Sequence, residues 1–149
     1  MPVPDQEARA LLDQAMVARL ATLSSAGRPH VNPIYFVTVG DHIHLGTATY
    51  TLAARNVAAH PDVEILFEVE SDPADHRMLR VLGTAVASTD PDVQRCYTRA
   101  DARKYVLTPR GLWNLLTHPR QWRPMVSHLR GGAACVIDGT PTSTEMIRA

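Results

Sequence analysis

Three threonines, Thr47, Thr49 and Thr51, stand at alternate positions ahead of an alanine-rich run that carries Arg55 and Asn56. A hydroxyl-rich turn feeding a helix N-terminus can bind an anion. The first backbone N–H groups of the helix lack intrahelical partners, and the helix dipole favours negative charge there. The simpler alternative is that Thr49 or Thr51 only caps the helix. Arg55 has the same two options, a phosphate contact or a plain surface position. Asn56 sits where a helix meets a sheet and suits a structural hydrogen bond as well as a ligand.

Other chemistry is sparse. The seven histidines show no HExxH or Cys/His spacing for zinc, so no metal site is expected; His42 and His44, sharing one strand face, give only weak support for one. GxGxxG, GxxxxGK and GxSxG are all absent. His30 is a lone candidate for proton handling near neutral pH. Tyr35, Phe36, Trp113 and Trp122 can wall an apolar cleft or fill a core. No catalytic residue can be assigned.

The elements that position these residues follow from periodicity. A short amphipathic helix is expected from Asp5 to Gln14, with Asp5 as its cap, and a half-buried strand over Val17–Leu23. Ser24 to Gly27 supplies a turn in which Gly27 takes positive φ. A second strand runs to Val39. Its prolines, Pro29 and Pro33, cannot donate to a ladder, so one side of it should be an edge or a bulge with backbone groups left open. A third strand, His42–Gly46, precedes the threonine turn and a helix over Leu52–Ala59 that His60-Pro61 ends. Strands follow at Val63–Val69 and at Met78–Ala87, where Gly83 suggests a bulge. Asp90-Pro91 and Thr108-Pro109 start helices, the first with Val93, Cys96, Tyr97 and Ala100 on one apolar face. A third helical piece reaches Leu129, and a last strand covers Ala133–Asp138, followed by a polar tail or a strand extension to Ile147.

Antiparallel strands first and helices late describe a mainly β, or α+β, barrel-like body rather than an alternating parallel sheet. A length of 149 residues with 45% hydrophobic and 20% charged content suits one globular domain, 1–149, with a helical insertion at about 90–132. Net charge is zero, which asks for neither nucleic acid nor membrane. Charge is nevertheless segregated: Asp62 to Asp75 carries only acids, and Arg95 to Arg130 only bases apart from Asp101. Such blocks pair with each other or stay solvated. Cys96 and Cys135, without a CxxC pattern, suit reduced, semi-buried thiols in the cytoplasm. The N-terminus lacks the features of a signal peptide, and no run reaches membrane-spanning length.

The ordered combination LATLSSAGRPHVNPIYFV, HIHLGTAT and AARNVAAHPDVEILFEV resembles the pyridoxamine 5'-phosphate oxidase-like split β-barrel superfamily, and within it the small flavin- or deazaflavin-dependent oxidoreductases. The similarity covers roughly residues 10 to 90. It implies a six-stranded antiparallel split β-barrel with short flanking helices, assembled as a homodimer with cofactor sites in the clefts between subunits. It implies a cofactor phosphate near Thr47, Thr49, Thr51, Arg55 and Asn56, with the ring along Val31, Asn32, Pro33 and Ile34. FMN and the deazaflavin coenzyme F-420 fit this pattern equally, with hydride transfer to a small organic substrate. The alternative is a non-catalytic barrel that binds a flavin, haem or another planar anionic ligand. Relatives that hold phosphate well usually carry a basic residue near the positions of Thr51 and Ala53, where this chain has none. Loss of such a cation costs ~1–3 kcal/mol of charge-assisted bonding.

Overall fold

A computed structural model describes residues 6–117 and 133–148. Its elements are α1 (Gln6–Gln14), β1 (Val17–Leu23), β2 (Pro29–Val39), β3 (His42–Ala48), α2 (Leu52–Ala59), β4 (Asp62–Glu68), β5 (Arg77–Ser88), α3 (Pro91–Asp101), α4 (Pro109–Thr117) and β6 (Ala134–Arg148). A π-helical turn over Ala102–Val106 joins α3 to α4. The six strands close into an antiparallel barrel in the order β1-β2-β3-β6-β5-β4. No helix among the described residues is long and apolar enough to cross a membrane.

Period-two patterning builds this barrel. Along β1, Ala18, Leu20 and Thr22 are buried in alternation, as are Val63, Ile65 and Phe67 along β4. Phe36 and Phe67 meet in the interior with ring centroids 4.6 Å apart, among Leu20, Leu45, Leu79 and Ile137. Helix α1 adds Ala8, Leu11 and Leu12 to that core. Its Glu7 pairs with Arg77 and Arg148, which ties it to β5 and β6. Arg77 in turn holds the Asp75 carboxylate and depresses its pKa to about 2.

Several boundaries differ from expectation. Strand β3 continues through Ala48, so Thr47 lies in the strand rather than the turn. Of the two options after Asp138, the strand extension is the one found: β6 runs unbroken to Arg148, because its second half pairs with β5 over Arg77–Gly83. Gly27 has φ of 73° in its turn, as anticipated. The register slip at Leu82/Gly83 places Gly83 so that a Cβ there would lie 2.4 Å from the Thr140 carbonyl oxygen, and the bulge requires glycine. Neither cysteine is semi-buried: Cys135 is buried and Cys96 exposed, since α3 turns Val93 and Tyr97, not Cys96, toward the barrel. The helical piece to Leu129, Trp122 and the Asp5 cap lie outside the described residues.

Candidate functional site

The decisive feature of β2 is that it is paired differently along its two halves. On the β1 side it pairs continuously, from Leu23↔Pro29 to Val17↔Tyr35. On the β3 side pairing covers only Phe36–Val39. Among the described residues, 29–35 therefore have no strand partner on that side, an open edge of the ladder. Backbone groups alternate in direction along a strand. Phe36 N–H points to the β1 side, where it donates to Tyr105 Oη at 3.2 Å, and that hydroxyl also bonds the Met16 carbonyl at 2.7 Å. Pro29, Val31, Pro33 and Tyr35 consequently direct their backbone groups to the open edge. Both prolines sit where the missing N–H costs no ladder bond. The expectation of an edge beside the prolines is met.

Side chains on this stretch divide by face. Val31 and Pro33 are exposed on the outer face, and Asn32 and Ile34 are half-buried on the inner one. Ile34 packs against the core. Among the described residues, Asn32 Oδ1 is buried without a hydrogen-bond partner. A buried orphan acceptor is costly and awaits a donor.

The threonine turn is organised as a cap. Thr51 Oγ1 accepts from Ala54 N–H at 3.3 Å and donates to the Ala48 carbonyl at 2.9 Å, with Thr47 Oγ1 2.9 Å away. Those two hydroxyls are occupied by the helix start. Thr49 and Arg55 are exposed and free to meet a ligand. Asn56 is buried and donates through Nδ2 to Thr22 Oγ1 at 3.0 Å, locking α2 to β1. Thr22 is in turn the strand partner of His30. The β2 stretch and the threonine turn share no hydrogen bond among the described residues; the link between them runs through Asn56, Thr22 and β1.

Four residues of the helical insertion, Tyr105, Lys104, Tyr97 and Asp101, pack against the barrel near β2, and the sequence alone did not mark them as a site. Tyr105 crosses from the π-helical turn to the end of the β1–β2 ladder, its ring edge-on to Tyr35 at 5.3 Å. Lys104 lies over the Phe36 ring, Nζ 3.4 Å from the centroid, and donates to the Leu12 carbonyl at 3.1 Å. Burial lowers its pKa to about 8 despite the nearby carboxylates Asp13, Glu70 and Asp101. Tyr97 donates to Asp101 Oδ1 at 3.2 Å, and burial raises the pKa of both groups. On the other strand face, His44 is buried beside Asp138, and burial lowers its pKa.

The family model for pyridoxamine 5'-phosphate oxidase matches residues 4–125. The chain belongs to that family. Among solved structures, members of this split-barrel family share its fold at low identity. A conserved hypothetical protein of Mycobacterium tuberculosis superposes with a TM-score of 0.74 at 18% identity, covering 98% of this chain and 85% of its own. An F-420 reductase gives 0.63 at 21%, covering 96% and 98%. HupZ of Group A Streptococcus gives 0.66 at 17%, covering 99% and 96%. No curated protein matches in sequence. At these identities the likeness to solved structures shows the split barrel alone.

Proposed function

We propose that this protein is a flavin- or deazaflavin-dependent oxidoreductase acting on a small organic substrate. The observation that carries the reading is the open β2 edge over residues 29–35, with the orphaned Asn32 Oδ1 on the same stretch. A tricyclic ring with carbonyl and imide edges suits such a strip, because it offers acceptors to backbone N–H groups and a donor to an acceptor. Similarity in fold to an F-420 reductase supports the deazaflavin form of this reading. The bound ring would supply hydride transfer, and the protein would supply position and electrostatics.

The chain's own residues have separable tasks. Val31 and Tyr35 N–H and the Pro33 carbonyl orient the ring edge. Arg55 and Thr49 hold the phosphate at the start of α2, assisted by the helix dipole. Lys104 and Tyr105 close one end of the strip and exclude water from it. Apolar side chains left exposed at Val31, Tyr35, Leu107, Trp113 and Leu116 form the surface a second copy would cover, giving a homodimer with its clefts between subunits. Free Cys96 and Cys135 suit the reducing cytoplasm.

A second reading, a non-catalytic protein that binds a planar anionic ligand, is favoured by one specific finding. Thr47 and Thr51 spend their hydroxyls on the helix cap, and no cation stands at Thr51 or Ala53. Phosphate then depends on Arg55 and Thr49. Mixing the protein with reduced FMN or reduced F-420 and an apolar quinone separates the two. Reoxidation of the cofactor faster than in the protein-free mixture supports the enzyme, and saturable binding without acceleration supports the binding protein.

A further inference from the structure

On the outer barrel face, three potential ligands converge. His42 Nδ1 lies 2.7 Å from Asp138 Oδ1, and His44 Nε2 lies 3.3 Å from the same oxygen. The three ligand atoms all fall within 4.8 Å of one another. We propose that His42, His44 and Asp138 form a binding site for a divalent transition metal of the zinc type.

The strands place these groups by register rather than by chance rotamers. His44 and Asp138 are direct partners across the β3–β6 ladder, and His42 is two residues along β3 on the same face. Two imidazoles and one carboxylate are a ligand set for zinc and its first-row neighbours, not for calcium or magnesium, which demand more oxygens. Bonds of ~2.0–2.1 Å place two ligands of one ion at most ~4.2 Å apart. The separations of His42 Nδ1 and His44 Nε2 from Asp138 Oδ1, 2.7 and 3.3 Å, lie within that span.

The surroundings suit a fixed site. Val37 flanks His44 on β2, and Val86 flanks Asp138 on β5, so His44 and Asp138 sit side by side in one row between two apolar neighbours. His44 is buried, which fixes its ring, while His42 and Asp138 leave a path to solvent. Among the described residues, His44 Nδ1, on the far side of that ring, is buried without a hydrogen-bond partner. Three protein ligands leave a position open to water or a small anion.

The test is metal titration of the chelator-treated protein with Zn²⁺, followed by calorimetry, and with Co²⁺, followed by visible ligand-field absorption. The expected result is one ion per chain at micromolar or tighter affinity, with Co²⁺ bands of a low-coordinate N/O site. His42→Ala and Asp138→Asn should each weaken binding at least tenfold. His42 is half-exposed, so H42A keeps the fold and decides the matter even if D138N does not; circular dichroism verifies this. Absence of stoichiometric uptake, or uptake unchanged in H42A, overturns the proposal and leaves a hydrogen-bonded His–Asp–His cluster.

Discussion

The Tyr105 hydroxyl occupies the rung that would follow Val17↔Tyr35 on the β1–β2 ladder, bonding Phe36 at both its N–H, 3.2 Å, and its carbonyl, 2.8 Å. Its one proton is shared between that carbonyl and the Met16 carbonyl, 2.7 Å away. One side chain from the helical insertion thereby completes the backbone of the strand that borders the proposed cleft. Removing that hydroxyl leaves part-buried backbone groups unmet, at ~1–3 kcal/mol. Tyr105→Phe should lower stability by that amount in chemical denaturation and speed hydrogen exchange at the Phe36 amide. An unchanged midpoint and exchange rate would show that water replaces the hydroxyl at no cost.

Gly46 and Tyr97 form a second pair of this kind. A Cβ on Gly46 would lie 2.2 Å from Tyr97 Oη, so α3 can approach β3 only where the strand carries glycine. Gly46→Ala should destabilise the fold by ~1–3 kcal/mol through overpacking. The same substitution in a Tyr97→Ala background should cost clearly less, a coupling that a double-mutant cycle reads directly. Equal costs in both backgrounds would deny the contact.

Within the threonine turn, stability and ligand binding should separate. Thr51→Ala removes a cap and the bond to Thr47, costing ~1 kcal/mol of stability. Thr49→Ala, at an exposed hydroxyl, should leave the melting temperature unchanged and weaken cofactor binding. A Thr49→Ala variant that melts early yet binds normally would reverse these roles.

Lys104 gives the fold a pH dependence of defined sign. Its folded pKa of about 8 lies below its ordinary 10.5, so between these values the unfolded chain holds a proton that the folded chain has released. Stability therefore rises with pH across that window. Burial raises the Cys135 pKa above its ordinary 9.0, which opposes the rise at higher pH. The rise should set in near pH 8, be offset by Cys135 above about pH 9, and flatten in Lys104→Met. A wild-type profile as flat as that of the variant would contradict the buried amine.

The barrel was legible because period-two burial in β1 and β4 and the turn at Gly27 are local features. The β2 edge was legible for the same reason, since Pro29 and Pro33 announce missing donors. Asn56 was rightly open to a structural role; its partner Thr22, 34 residues away, appears only in the fold. Cys96 illustrates the weakness of helical periodicity on a lightly packed helix: α3 buries no residue fully, so its apolar stripe does not fix which side faces the barrel. Tyr105 and Asp138 were invisible because their importance depends on pairings 69 and 96 residues distant. The His42/His44 spacing alone gave two ligands of a set whose third comes from β6.

The central claim is that the open β2 edge and the start of α2 hold a flavin-type cofactor, and titration of the purified protein with FMN and with F-420, following ring fluorescence, tests it most directly. The account predicts saturable micromolar binding of one of them, with Arg55→Ala weakening it by about one to two decades, as expected for a charge-assisted contact of ~1–3 kcal/mol. No change in fluorescence with either compound at tens of micromolar would contradict it.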